Sequence, residues 1–307
     1  MTKPFSIIPA TFTAFHADGA VDLDRIPVQL SALLRDGADG AFVCGTTGEG
    51  AALTSMERMR VAEKWVEHAA EGFQVIVHVG HASAHEARTL AEHAARIGAH
   101  AIAAVAPYFL KPRNAKEVVD AIALIAAGAP KLPFYYYHVP AVTGIAVPAA
   151  QVVREARARI PNFRGIKFTD GDLNDFGQAI DACGDALDVF YGRDDFLLPA
   201  LSLGVRKAVG MTYNFTTPLV RRLVDAFDAS DLATARAAQA PIRTLIAASL
   251  PYGIVNALKA ASAAVGVDCG AVRAPLTSLS ADEAREFLAR TGIVDALAAV
   301  QPMRKAA

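Results

Sequence analysis

One lysine stands in a run otherwise suited to burial: Phe163-Arg164-Gly165-Ile166-Lys167-Phe168-Thr169. Lysine is almost never fully buried unless paired or functional. Desolvation favours the neutral amine, and a neutral amine attacks a carbonyl to form an imine. The other reading is a lysine that reaches solvent or pairs with Asp170. Gly45-Thr46-Thr47-Gly48-Glu49 sets two hydroxyls between glycines, where side-chain and backbone donors can hold a carboxylate. An ordinary turn before a helix has the same composition. In Phe134-Tyr135-Tyr136-Tyr137-His138, strand alternation puts Tyr135 and Tyr137 on one face and Tyr136 on the other. A tyrosine facing a site shuttles protons, whereas one facing a core packs. Tyr191-Gly192-Arg193-Asp194-Asp195 offers exposed backbone and two carboxylates suited to polyol hydroxyls, or else a solvated helix N-terminus.

Other chemistries find less support. His78, His81 and His85 crowd one strand end, but no cysteine or acidic ligand set accompanies them and no H-E-x-x-H occurs. No metal is therefore expected. No P-loop and no G-x-G-x-x-G occurs, which leaves nucleotide cofactors without a motif. Cys44 beside the threonine pair reads either as a nucleophile or as a small core residue.

These groups need elements to position them. Short strand-like runs occur at Ser6–Phe12, Gly40–Cys44, Gln74–Val79, Ala101–Ala106, Pro133–His138, Gly165–Phe168, Asp188–Tyr191 and Lys207–Gly210. Helical periodicity separates them, as in Met56–Ala70, Ala84–Ile97, Ala115–Ala126 and Val147–Ala158. Such alternation implies parallel strands joined by right-handed crossovers. Eight units predict a (β/α)8 TIM barrel, of class α/β. A doubly wound sheet usually has fewer units and a Gly-rich turn after its first strand, and here Thr13-Ala14-Phe15-His16 follows instead. Thr54-Ser55-Met56-Glu57 reads as a capping box. Pro148 and Pro218 suit a first helical turn, and Gly37, Gly98 and Gly204 suit left-handed C-terminal caps. Residues 1–217 are expected to hold most of the barrel, with its last helix running to about 230. Residues 231–307 form a C-terminal helical extension of the same domain, with helices at Asp231–Ala248, Gly253–Val265 and Ala281–Ala299.

Composition narrows the setting. The chain has 307 residues, 53% of them hydrophobic and 20% charged, which excludes disorder as the main state. The net charge of -1 gives no drive toward nucleic acid or an anionic membrane. Three cysteines are too few for a disulfide framework, so a reducing cytoplasm is expected. No run of about 18 apolar residues predicts a membrane span. The positive mean hydropathy is instead ascribed to alanine-rich helices on buried strands.

Gly45–Glu49, Tyr137-His138-Val139-Pro140 and Gly165-Ile166-Lys167 lie in order on the second, fifth and sixth strands. Together they resemble the pyruvate-dependent class I aldolases, the superfamily of N-acetylneuraminate lyase and dihydrodipicolinate synthase. The resemblance covers essentially the whole chain. Phe134–Gly144, Gly165–Asp170, Asp172–Gln178 and Thr212-Tyr213-Asn214 are similar to the lyase branch, particularly its animal-type form.

The resemblance implies a cofactor-free aldolase that forms a covalent imine on Lys167. Its small-molecule partner would be a 2-oxo sugar acid, and its assembly a homotetramer. Thr46 and Thr47 would hold the carboxylate. Tyr137 would move protons, with Thr46 linking it to a relay. Thr169, Gly192, Asp194, Asp195 and Met211 would face the sugar-derived part. Cleavage of N-acetylneuraminate to pyruvate and N-acetylmannosamine is the first expectation. Synthases generally carry tyrosine where this chain has Phe109, and arginine where it has Val142. Lyases usually carry serine where it has Met211, and Asp-Glu where it has Asp194-Asp195. The alternatives are another 2-oxo-3-deoxy sugar acid aldolase or dehydratase, a dihydrodipicolinate synthase-like condensation, and a non-catalytic sugar-acid binding protein.

Overall fold

Runs such as Gly-Ala-Phe-Val and Ala-Ile-Ala-Ala have no polar face, so they form strands only where both faces are covered. The computed structural model, which describes residues 4–300, covers them with a ring of helices outside and with each other inside. Eight strands run in parallel: β1 Ser6–Pro9, β2 Gly40–Val43, β3 Gln74–His78, β4 Ala101–Ala104, β5 Phe134–His138, β6 Phe163–Phe168, β7 Asp188–Tyr191 and β8 Lys207–Gly210. Their order is β1-β8-β7-β6-β5-β4-β3-β2. The circle closes between β1 and β2 through the Ala10–Phe42 bridge, making a TIM barrel.

Alternation sorts each strand between two cores. Ile8, Phe42, Ile76, Ala103, Tyr137 and Phe190 fill the barrel interior. Ile7, Val43, Val77, Tyr136, Ile166 and Phe168 face the helices. The expected capping box at Thr54 and Glu57 is present, and Gly37, Gly98 and Gly204 take φ of 83°, 80° and 87° after their helices.

Three local expectations are corrected. β1 stops at Pro9, because beyond it Ala10 forms only the single bridge that closes the ring. Pro218 lies inside the helix Tyr213–Asp228, which starts earlier than expected and loses one internal hydrogen bond there. The run Ala281–Ala299 is two helices, Ala281–Thr291 and Ile293–Ala298, because Gly292 turns left-handed at φ 57°. The helices Leu232–Ser249 and Ile254–Ala264 precede them.

Candidate active site

β6 positions the lysine through an irregularity. Phe163 pairs with Phe134, but Gly165 pairs with Tyr135, so Arg164 is an extra residue on β6. A one-residue slip flips every later side chain to the other face. Phe163 faces the helices, so regular alternation from it would turn Lys167 outward too. The bulge turns Lys167 inward and sets it directly opposite Tyr137. Only glycine fits the bulge, since a β-carbon at Gly165 would lie 1.9 Å from the Asp188 carbonyl oxygen.

Lys167 is 4% exposed and forms no ion pair with a carboxylate among the described residues. Its amine lies 4.1 Å from the centroid of Phe42 and 3.9 Å from that of Tyr137. Burial holds its pKa below the ordinary lysine value, with the Tyr137 hydroxyl and the Asp194 carboxylate opposing. The tyrosine ambiguity resolves by face and by partner. Tyr135 donates to Asp188 at 2.8 Å, Tyr136 points to the helices, and Tyr137 stands beside the amine.

The Gly45–Glu49 loop abuts the same ring as the amine, because a β-carbon at Gly45 would lie 2.8 Å from Phe42. Thr46 is exposed and lines a cleft of about 580 Å³ with His78, Tyr108, Val139, Arg273 and Leu276. Thr47 is buried. Lys167 and Tyr137 do not line this cleft, but His78 does, and it meets the Tyr137 ring edge-on at 5.8 Å. A larger groove of about 760 Å³, with Arg35, Arg222 and Asp231, holds none of the expected site residues.

On the side of β6, β7 and β8, the Thr169 hydroxyl is buried without a hydrogen-bond partner, close against Gly192. Asp194 accepts from the Thr212 N–H at 2.7 Å and the Thr212 hydroxyl at 2.6 Å, and burial pushes its carboxyl up to about 6. Asp195 is directed elsewhere, since Arg193 grips its carboxylate at 3.0 and 2.7 Å. Met211 is half-buried against the outer core, and its carbonyl accepts from Asn214.

Sequence reasoning missed a layer behind the tyrosine. Arg58 is 3% exposed and donates to the carbonyls of Gly80 at 2.9 Å and His78 at 2.6 Å. Burial, with the Arg58 and Lys167 cations, holds His78 well below its ordinary pKa and therefore neutral. Its Nδ1 lies 3.1 Å from the Cys44 carbonyl, which assigns that nitrogen the proton. Of the three histidines weighed for metal, His78 is buried here, His81 accepts from Ser83, and His85 is exposed. Among the described residues no group of three His, Cys, Asp or Glu could hold a metal ion. Burial pushes the Cys44 thiol up to about 11, which fits a core residue better than a nucleophile.

The buried amine, the tyrosine hydroxyl beside it and the threonine-bearing loop against the same Phe42 ring are groups of the kind that imine chemistry on a 2-oxo acid requires. Residues 3–291 match the dihydrodipicolinate synthetase family. The chain is 38% identical over 286 residues to the N-acetylneuraminate lyase of Homo sapiens, covering 92% of this chain and 88% of that one. It superposes on the N-acetylneuraminate lyase of Proteus mirabilis with a TM-score of 0.91 at 33% identity, over 96% and 99% of the two chains. For a dihydrodipicolinate synthase from Bacillus anthracis the TM-score is 0.88 at 26% identity, over 95% and 99%.

Proposed function

The chain belongs to the dihydrodipicolinate synthetase family, and on that premise we propose that it is a class I aldolase that cleaves N-acetylneuraminate to pyruvate and N-acetylmannosamine. The observation that carries this reading is Lys167, a buried amine in register with Tyr137 and without a carboxylate partner among the described residues.

The neutral amine adds to the C2 ketone, and the Tyr137 hydroxyl gives its proton to the departing oxygen, so that water leaves, a protonated imine forms and Tyr137 is left as the phenolate. Thr46, Thr47 and their backbone N–H groups hold the C1 carboxylate so that C2 faces the amine. As the C3–C4 bond breaks, its electron pair flows into the imine and leaves an enamine. Tyr137 takes the proton of the C4 hydroxyl as that carbon becomes an aldehyde. Tyr137 passes that proton to C3 of the enamine, and hydrolysis of the imine then releases pyruvate, restores Lys167 and returns a proton to Tyr137. The chain's own lysine supplies the electron sink, so the scheme needs no separate cofactor. Thr169, Gly192 and Asp194 would hold hydroxyls of the departing aldehyde.

A second reading keeps the imine and changes the sugar. Asp195 is engaged by Arg193, and Met211 offers no hydroxyl. Neither residue supplies the group the resemblance leads one to expect at the aldehyde end, so another 2-oxo-3-deoxy sugar acid is the alternative substrate. A panel of sugar acids read as kcat/KM separates the two. A condensation with aspartate semialdehyde has less support, with Phe109 and Val142 both exposed and carrying neither hydroxyl nor guanidinium.

Trapping tests the core claim. Pyruvate with borohydride should add mass to the peptide bearing Lys167. Lys167→Ala should abolish the adduct, and Tyr137→Phe should cut turnover by at least about 100-fold with the fold kept. Labelling elsewhere, or normal turnover in either variant, rejects the assigned role. No helix of the described residues is long and apolar enough to cross a membrane. We place the enzyme in the cytoplasm as a homotetramer, which sedimentation would check.

A further inference from the structure

The glutamate of the Gly45–Glu49 loop takes no part in the scheme above, yet it is 5% exposed. The loop carries conformations that residues with a β-carbon avoid. Cys44 sits at φ 59° and Glu49 at φ 52°, one at each end. Such conformations persist only where the surroundings over-determine them.

At the Cys44 end the constraint is backbone packing. A β-carbon at Gly50 would lie 2.0 Å from the Cys44 carbonyl oxygen, and the Gly50 N–H donates to Gly45. At the Glu49 end the constraint is a charge. Glu49 Oε1 lies 2.8 Å from Lys259 Nζ, with both side chains buried, and Oε2 accepts from the Arg273 N–H at 2.8 Å. Lys259 is fixed in turn, donating to the Ala271 carbonyl at 2.7 Å and lying 4.6 Å from the Phe15 ring centroid. Arg273 is anchored by Glu57 and by the Ala52 and Gly19 carbonyls. Both groups that hold Glu49 therefore come from beyond the eighth barrel unit.

We infer that Lys259 is a positioning residue, which clamps Glu49 so that Thr46 and Thr47 present their donors to the 2-oxo acid carboxylate. The inference rests on the imine reading above and adds to it a task for the C-terminal helices. The clamp acts on the carboxylate cradle and leaves the amine alone. Its loss should therefore weaken recognition of a keto acid without weakening attack on a ketone that has no carboxylate.

The test compares two probes at Lys167, pyruvate and hydroxyacetone, each trapped with borohydride over a concentration series. The proteins are the wild type, Lys259→Met and the double variant Glu49→Gln/Lys259→Met. The double variant removes both buried charges, so neither is left unpaired even if the single variant folds poorly. In both variants the pyruvate concentration for half-maximal labelling should rise about tenfold, while hydroxyacetone labelling stays within about twofold of wild type. Unchanged half-saturation for pyruvate in the folded variants overturns the inference. So does a parallel loss with both probes, which would mark a purely structural ion pair. Absence of any wild-type adduct is a different result, and it overturns the imine reading together with this one.

Discussion

Asp194 is the site residue whose charge changes within reach of working pH. Burial pushes its carboxyl up to about 6 from an ordinary 3.8, against the two Thr212 hydrogen bonds and the Lys167 cation. Since the folded value exceeds the unfolded one, the stability this group contributes is full below about 3.8 and is lost as pH rises through about 6. Substrate binding should run the other way, because only the ionised carboxylate is purely an acceptor for sugar hydroxyls. KM for the sugar acid is therefore expected to climb as pH falls through about 6, with borohydride trapping of pyruvate much less affected. Asp194→Asn should flatten that limb. A limb that survives in this variant belongs to another group and removes Asp194 from the sugar site. Lys167 was visible in the sequence because a cation in an apolar run is anomalous whatever the fold. Arg58 was not, and His78 stood out only as a metal-ligand candidate, since the partners of both are backbone carbonyls, and carbonyls leave no mark in a sequence.

At the scale of elements, the sixth strand decides whether there is a site at all. The apolar run announced the strand, but it gave no notice of the extra residue, since inserting Arg164 changes no composition. The expected strand began at Gly165, just past the bulge that sets its facing. Gly165→Ala puts a methyl 1.9 Å from the Asp188 carbonyl oxygen at φ 151°. The chain can lose on the order of 3 kcal/mol to that clash, or relieve it by slipping one residue and turning Lys167 toward the helices. Either route should lower the melting temperature by several degrees or abolish turnover, as a thermal melt and a pyruvate-release assay would record. A variant with the wild-type melting temperature and turnover would mean that the bulge does not set the register. Gly292 shows the converse problem. Inside an amphipathic run a glycine reads as tolerated, and only the direction of the chain after it reveals a left-handed cap.

At the scale of the whole molecule, eight strand–helix units made a barrel legible, yet unit counting says nothing of how the ring closes. Among the described residues the closing strands β1 and β2 share one bridge, near the site, and Asp39 carries the other end of the seam with both its backbone and its side chain. Asp39 accepts from the buried Ile7 N–H at 2.7 Å while its own N–H donates to the Ile7 carbonyl. Arg221, from the last barrel helix, joins Asp39 at 2.7 Å and also donates to the Phe5 and Gly37 carbonyls. These partners lie up to 216 residues apart, beyond any local sequence signal. Asp39 is half-exposed, so its ion pair with Arg221 is worth little, and the main loss in Asp39→Ala is the unsatisfied Ile7 donor. That loss should cost about 1–3 kcal/mol, read as a lower melting temperature and faster hydrogen exchange at the Ile7 amide. Turnover per folded molecule should stay near wild type, because the seam bond lies at the amino end of β1 and the imine site at the carboxyl end of β6. If Asp39→Ala instead loses turnover with its melting temperature intact, the two ends of the barrel are coupled, and the separation of stability from chemistry assumed here fails.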